Sequence, residues 1–386
     1  MALYKDKRGN IYTNMNRIGK SNEGEVYSLF ESPDDVVKIY YDDARTKLRE
    51  KKISFMIKQS EIPSQTAWPK EIIYEDGNFA GYAMPRVEGF KEINAVYAAD
   101  FQTWSLSRRA EAACSLCDAV EGIHAAGHVC GDLNPSNVLV DRDGQVTLVG
   151  TDSFHIKNTA DKNRVFRCER GLPAYLAPEL QSKLVGGQTL ADVPSPTFTK
   201  GTDLFALAVH IFALLTDGYH PFATKASPID MTHKQLSVAD PKPIDGIIEG
   251  LSPFFISKDG LEMPDNAPDL STLPKEIRAL FYRAFFDGRN ASTKRPSCSE
   301  WKAAIKKWQR TPAAAAASPA ASTAEQAMPI TATKPAAQAK PTTPEPLSKN
   351  DYNKLKKANK RMTGRTLYSA IVFVLTCAAC LCIFFL

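Results

Sequence analysis

Cysteine is sparse in this chain of 386 residues: there are eight, and three of them (Cys377, Cys380 and Cys382) lie in a C-terminal apolar stretch. That usage builds no disulfide framework and suits a reducing compartment. Cys114 and Cys117 make a C-x-x-C with no second ligand pair, inside a helical pattern, so they read as buried helix-face thiols. The opening MALYKDKRGN has no apolar run, so no signal peptide is expected. A basic stripe interleaved with aromatics is missing too, which argues against a nucleic-acid partner. The net charge of +5 is uneven: residues 1–310 sum to −1 and residues 311–386 to +6.

What is present falls into two parts. Residues 311–348 carry 13 alanines and 7 prolines, a linker unable to build a core. Lys349–Arg365 follows with seven basic residues against Asp351, and then Leu367–Leu386, twenty residues without charge. Twenty residues of helix rise about 30 Å, the thickness of a bilayer core, so a single C-terminal membrane span is expected. The basic flank places the preceding domain on the cytoplasmic side.

The remainder, residues 10–310, alternates strand and helix patterns. Residues 3–40 read as strand, Gly-containing turn, strand, strand, with Gly19-Lys-Ser21-Asn-Glu-Gly24-Glu-Val26 at the turn. Glycines there let backbone N–H groups approach phosphates, although an ordinary hairpin has the same look. Lys38 sits inside the apolar strand Asp35–Tyr40, and a lysine so placed is costly unless paired. The next helix, near residues 43–59 with Asp42 or Asp43 as N-cap, puts Thr46, Glu50, Ile53 and Ile57 on one face. Glu50 is thus either the counter-ion of Lys38 or, with Lys51 and Lys52 beside it, a solvated glutamate. Two strands then flank Asp76-Gly77-Asn78 and run out at Met84-Pro-Arg-Val87. Residues 107–126 form an Ala-rich helix stopped by Gly127, with His124 and His128 as packing or capping residues. After it, Val129–Phe154 carries Asp132 and Asn137 five residues apart on a loop, then a β-rich hairpin, then Thr151-Asp152-Ser153-Phe154. Thr202-Asp203 caps an apolar helix, Leu204–Leu215. Residues 223–272 read as loops without recognisable chemistry.

The stretch Val129–Phe154 resembles the H-R-D-L-x-x-x-N catalytic loop and following metal loop of protein kinases. The other elements match that family in order: G-x-G-x-x-G-x-V at Gly19–Val26, V-A-I-K at Lys38, the hinge at Met84–Val87. The A-P-E ending stands at Ala177-Pro178-Glu179, with Arg295 as the expected buried partner of Glu179. The resemblance covers residues 10–310 and is nearest an atypical bacterial-type Ser/Thr kinase branch. It implies an α+β bilobal fold, with a β-rich N-lobe over about 10–88 and a mostly helical C-lobe over about 89–310. It also implies ATP and Mg²⁺ as cofactors and a protein substrate. Asp132 would accept the substrate hydroxyl proton, Lys38 orient phosphates and Glu50 hold Lys38. Gly19, Ser21, Gly24 and Val26 would cover the nucleotide, while Met84 and Val87 would border the adenine.

Five departures stand against this. Cys130-Gly131 replaces His-Arg, Asn134 a lysine, Leu172 a threonine, and Ser21 a glycine. Thirteen residues beyond Asn137, Gly150 stands where D-F-G has its aspartate, so Asn137 and Asp152 remain as the magnesium ligands. The expected function is a membrane-anchored protein kinase acting on Ser or Thr, or else a pseudokinase that binds nucleotide or scaffolds partners. With no Arg at 131, activity should not depend on phosphorylation of the segment holding Thr159.

Overall fold

Strand Asp35–Tyr40 alternates its side chains between two cores, and the rest of the sheet is laid out on either side of it. The computed structural model describes residues 3–13, 15–30, 32–97, 104–157, 165–195, 197–231 and 237–310. The chain divides into two units, the first spanning Met1–Phe255 and Gly260–Met328. Of the second, only Ile256–Asp259 are described, and they hold no helix or strand. Every element named below belongs to the first unit.

Seven antiparallel strands form the N-terminal sheet: β1 (Tyr4–Lys5), β2 (Ile11–Tyr12), β3 (Met15–Lys20), β4 (Gly24–Leu29), β5 (Asp35–Tyr40), β6 (Glu71–Glu75) and β7 (Asn78–Pro85). Their order is β2-β1-β6-β7-β5-β4-β3. Because strand side chains alternate, Val37 and Ile39 pack with Leu29, Ile73 and Ala83 on one face. Val36 and Tyr40 join the main core on the other. Lys38 is on that second face, opposite Tyr82 of β7.

Helix α1 (Lys47–Ile57) begins later than its sequence pattern indicates. Asp42–Ala44 closes a separate 3-10 turn, and Thr46 is the N-cap, its Oγ1 accepting from Arg49 N–H at 3.2 Å. A short strand, β8 (Lys91–Glu92), leads to helix α2 (Leu106–Ala125). Cys114 and Cys117 are buried on this helix, and burial pushes the Cys114 thiol up to about 11. The hairpin of β9 (Val138–Val140) and β10 (Val146–Leu148) follows, then the pair β11 (Ile156–Lys157) and β12 (Val165–Phe166).

The remaining elements are helical: α3 (Pro178–Leu184), α4 (Lys200–Leu215), α5 (Asp245–Glu249), α6 (Lys275–Tyr282) and α7 (Cys298–Gln309). This mixture, a β-rich N-terminal sheet followed by helices, fits a kinase-like fold. Helix α4 is buried along nearly its whole length and packs against α2. It starts at Lys200, with Thr199 as N-cap in a capping box with Thr202, so Asp203 is released from capping. Arg295, its side chain fully buried, makes a two-pronged ion pair with Glu179 at 2.7 and 2.6 Å. Among the described residues, no helix is long and apolar enough to cross a membrane. The expected linker, basic segment and membrane span (residues 311–386) lie outside the described residues, as does Thr159.

Candidate functional site

The loop before β9 is pinned to the centre of the helical half by one carboxylate. Asp203 of α4 accepts from the backbone N–H of Cys130 at 2.8 Å and of Gly131 at 2.9 Å, and contacts His124 Nε2 at 2.8 Å. Gly131 has φ +77°, and a Cβ there would meet Cys168 Cβ at 2.8 Å and Phe198 at 3.3 Å. A side chain here would be strained at this φ and would have to displace Cys168, so the backbone favours glycine where the family has arginine. The turn delivers Asp132, 5 % exposed, whose Oδ1 accepts from Ser237 Oγ at 2.6 Å. Burial raises its pKa above the ordinary aspartate range, against hydrogen bonds from Asn134 and Ser237 that lower it. Asn134 donates to Ser237 Oγ at 2.8 Å, and Asn137 Nδ2 donates to the carbonyl of Asp132 at 2.8 Å.

The second charged group lies across the seam between sheet and loop. Lys38 Nζ donates to Asp152 Oδ2 at 2.6 Å, joined by Tyr40 Oη at 2.7 Å, while Tyr82 Oη donates to Oδ1 at 2.9 Å. The Lys38 and Asp152 side chains are 10 % and 1 % exposed. Burial works to raise the Asp152 carboxyl, but Lys38, Tyr40 and Arg49 outweigh it and hold the pKa well below the usual range. Asp152 is fixed by its neighbours in sequence. Thr151 Oγ1 donates to Ala67 O at 3.0 Å, and the Gly150 carbonyl accepts from both N–H and Oγ of Ser153.

The expected pairing of Lys38 with Glu50 is not formed. Glu50 instead accepts from Tyr74 Oη at 3.0 Å, because α1 turns Arg49, Lys52, Ile53 and Met56 inward. Asn137 and Asp152 do not form a magnesium pair either. Both oxygens of Asp152 are engaged by Lys38 and two tyrosines, away from solvent, and magnesium demands free oxygens in near-octahedral array. Gly150 has φ +63°, and a Cβ there would stand 2.4 Å from Asn137 Oδ1. The backbone thus favours glycine where the family has aspartate, and Asn137 supplies a single amide oxygen. Among the described residues, no group of three or more His, Cys, Asp or Glu is arranged to hold a metal.

The β3–β4 turn closes on itself. Ser21 donates to the Gly24 carbonyl through N–H at 2.8 Å and through Oγ at 3.0 Å. Gly19 and Val26 face each other across the hairpin. Glu23 at the tip pairs with Arg49 at 2.7 Å and with Arg170 at 3.0 Å. Val26, Met84 and Val87 all contribute to the main apolar cluster.

Lys52, which is buried, has its pKa lowered to about 8 by desolvation. A lysine whose folded pKa is depressed binds fewer protons when folded than when unfolded between its two values, so stability rises with pH there. Lys52→Met is expected to raise stability at pH 7 by about 1 kcal/mol or more and to flatten the rise between roughly pH 8 and 10. Urea unfolding at several pH values measures both effects. An unchanged pH slope would show that Lys52 is hydrated.

No family model matches the chain. Among curated proteins, it is 29 % identical over 314 residues to protein kinase YegI of Escherichia coli (strain K12), covering 77 % of this chain and 44 % of that protein. It is 28 % identical over 153 residues to the STE20-related kinase adapter protein strd-1 of Caenorhabditis elegans, covering 38 % and 36 %. To the ovarian-specific serine/threonine-protein kinase Lok of Drosophila melanogaster it is 32 % identical over 108 residues, covering 28 % and 21 %. These similarities support a member of the protein kinase-like superfamily. The departures of this kinase-like chain fit an atypical bacterial branch, and the chain spans less than half of YegI's length. Two of its residues escape sequence reasoning: Asp203, which reads as a helix cap, and Ser237, in a stretch without a motif. A polar pair at the start of an otherwise apolar buried helix was the available signal for Asp203. For Ser237 there was none.

Proposed function

We propose that the chain is a membrane-anchored protein kinase that transfers the γ-phosphoryl group of ATP to Ser or Thr hydroxyls. The observation that carries this reading is a buried aspartate, Asp132, with a serine hydroxyl 2.6 Å from its carboxylate. That is the distance at which a general base takes a proton. Asp132 accepts the acceptor's proton, and its raised pKa suits the role. Lys38, on the sheet face beneath the β3–β4 turn, faces the phosphates. Asp152 holds Lys38 in place, a task the family usually gives to a helix glutamate. Gly19, Ser21, Gly24 and Val26 cover the nucleotide, and the backbone of Met84–Val87 borders the adenine. The residues present do not fit a magnesium pair.

That misfit favours a second reading, a pseudokinase that binds nucleotide or scaffolds partners at the membrane. ATP hydrolysis and transfer to an added protein acceptor by the purified chain separate the two. Sustained transfer supports the enzyme; nucleotide binding without transfer supports the pseudokinase.

The anchor rests on the charge-free Leu367–Leu386 and its basic flank. Deleting residues 366–386 is expected to move the protein from the membrane pellet to the soluble fraction. A truncated form that still sediments with membranes overturns the anchor.

A further inference from the structure

Ser237 stands inside the site. Ser237 is 9 % exposed and lies 105 residues along the chain from Asp132. Its Oγ donates to Asp132 Oδ1 at 2.6 Å and accepts from Asn134 Nδ2 at 2.8 Å. The backbone beyond it is held by a single two-way bridge to Gly171. Val238 N–H donates to the Gly171 carbonyl at 3.1 Å, and Gly171 N–H to the Val238 carbonyl at 3.0 Å. Paired main-chain bonds of this kind are the unit by which an extended peptide joins a backbone edge. The Ser237 carbonyl lies 3.5 Å from both Arg170 Nη1 and Asn22 Nδ2, and Asn22 belongs to the turn proposed to cover the nucleotide. Leu190 N–H donates to the Ala239 carbonyl at 3.0 Å, extending the anchorage.

A hydroxyl on the base, a backbone bridged to Gly171, and contact with the covering turn together describe an acceptor in place. We infer that Ser237 is the intramolecular phosphoacceptor of this site, an inference that rests on the kinase reading above. In the step, Asp132 takes the Ser237 hydroxyl proton and Ser237 Oγ bonds to the γ-phosphorus of ATP. The bond from that phosphorus to the β–γ bridging oxygen breaks, its electron pair leaving with ADP. The product carries about −1.5 to −2 charge beside the Asp132 carboxylate, and such like-charge contact drives a segment out. Phosphorylation thereby empties the acceptor position for a hydroxyl from another protein.

The test incubates the full chain with ATP and magnesium and maps phosphate by peptide mass spectrometry, with casein as an added acceptor. The expected result is phosphate on Ser237, appearing with a first-order rate constant unchanged over a roughly hundredfold range of protein concentration, since an intramolecular reaction has no second reactant to dilute. Ser237→Ala abolishes that signal and Ser237→Thr retains it. A rate proportional to protein concentration overturns the intramolecular assignment. Casein labelled while Ser237 stays unmodified overturns the inference and leaves the kinase reading standing. In that case a loss of casein labelling in Ser237→Ala identifies Ser237 as a positioning hydroxyl, standing in for the threonine that Leu172 replaces. No label anywhere and no ATP turnover overturns both.

Discussion

Asp132→Asn is expected to lower phosphoryl transfer by roughly 10²–10⁴-fold, the range a positioned general base contributes. The replacement is nearly the same size and keeps an oxygen to accept from Ser237, so the loop should hold its shape. The structural anchorage lies elsewhere, in Asp203 and the backbone of Cys130 and Gly131. Melting temperature and ATP affinity should therefore change little while turnover collapses. The parent should show an acid limb in its pH–rate profile above the ordinary aspartate range, because burial raises the Asp132 pKa. Residual transfer within about threefold of the parent, well short of a general-base loss, would remove Asp132 from the chemistry.

Asp152→Asn should act on stability first. It leaves Lys38 buried without its anion, and breaking a buried pair from one side costs about 3–5 kcal/mol. At about 2–4 °C per kcal/mol for a large domain, the melting temperature should fall by roughly 10 °C. The pH dependence has a definite sign. Asp152 has a depressed folded pKa, so its contribution is present above the unfolded value and is lost as pH falls through the folded one. The parent should weaken progressively on acidification below about pH 5, and the variant should lose part of that slope. Replacing Lys38 by methionine in the same chain should recover part of the loss, since the uncompensated charge is then gone. Calorimetry of the two single variants and the double variant measures the coupling. A single Asp152→Asn variant as stable as the parent would mean that the carboxylate does no more than close its turn.

The order of the elements was legible because each carries a local cause. Lys38 within an apolar strand, the turn at Asp76-Gly77, the stop after α2 and the Asp132–Asn137 spacing are all set by neighbours in sequence. The partners of the charged groups were not legible in the same way. Lys38 has two carboxylates in plausible reach by sequence, Glu50 and Asp152, and the choice depends on how α1 is rolled against the sheet. That roll places Arg49 over the Tyr40 ring at 4.7 Å and buries Lys52. Tyr40, two residues after Lys38 and on the same sheet face, was the overlooked hint, since its hydroxyl completes the shell around Asp152. Gly150 was read as a missing ligand. Its positive φ and its closeness to Asn137 make it also a backbone requirement, so restoring an aspartate there strains the turn instead of repairing it.

Asp203 sets where the molecule can move. Backbone amides held by a carboxylate on its most buried helix exchange with solvent water only when that helix itself comes apart. The Cys130 and Gly131 amides should thus belong to the slowest-exchanging class, with protection equal to that of α4. The proposed general base is thus mounted on the part of the protein least able to breathe. On the kinase reading, any opening and closing would then fall to the sheet, with Asp132 stationary.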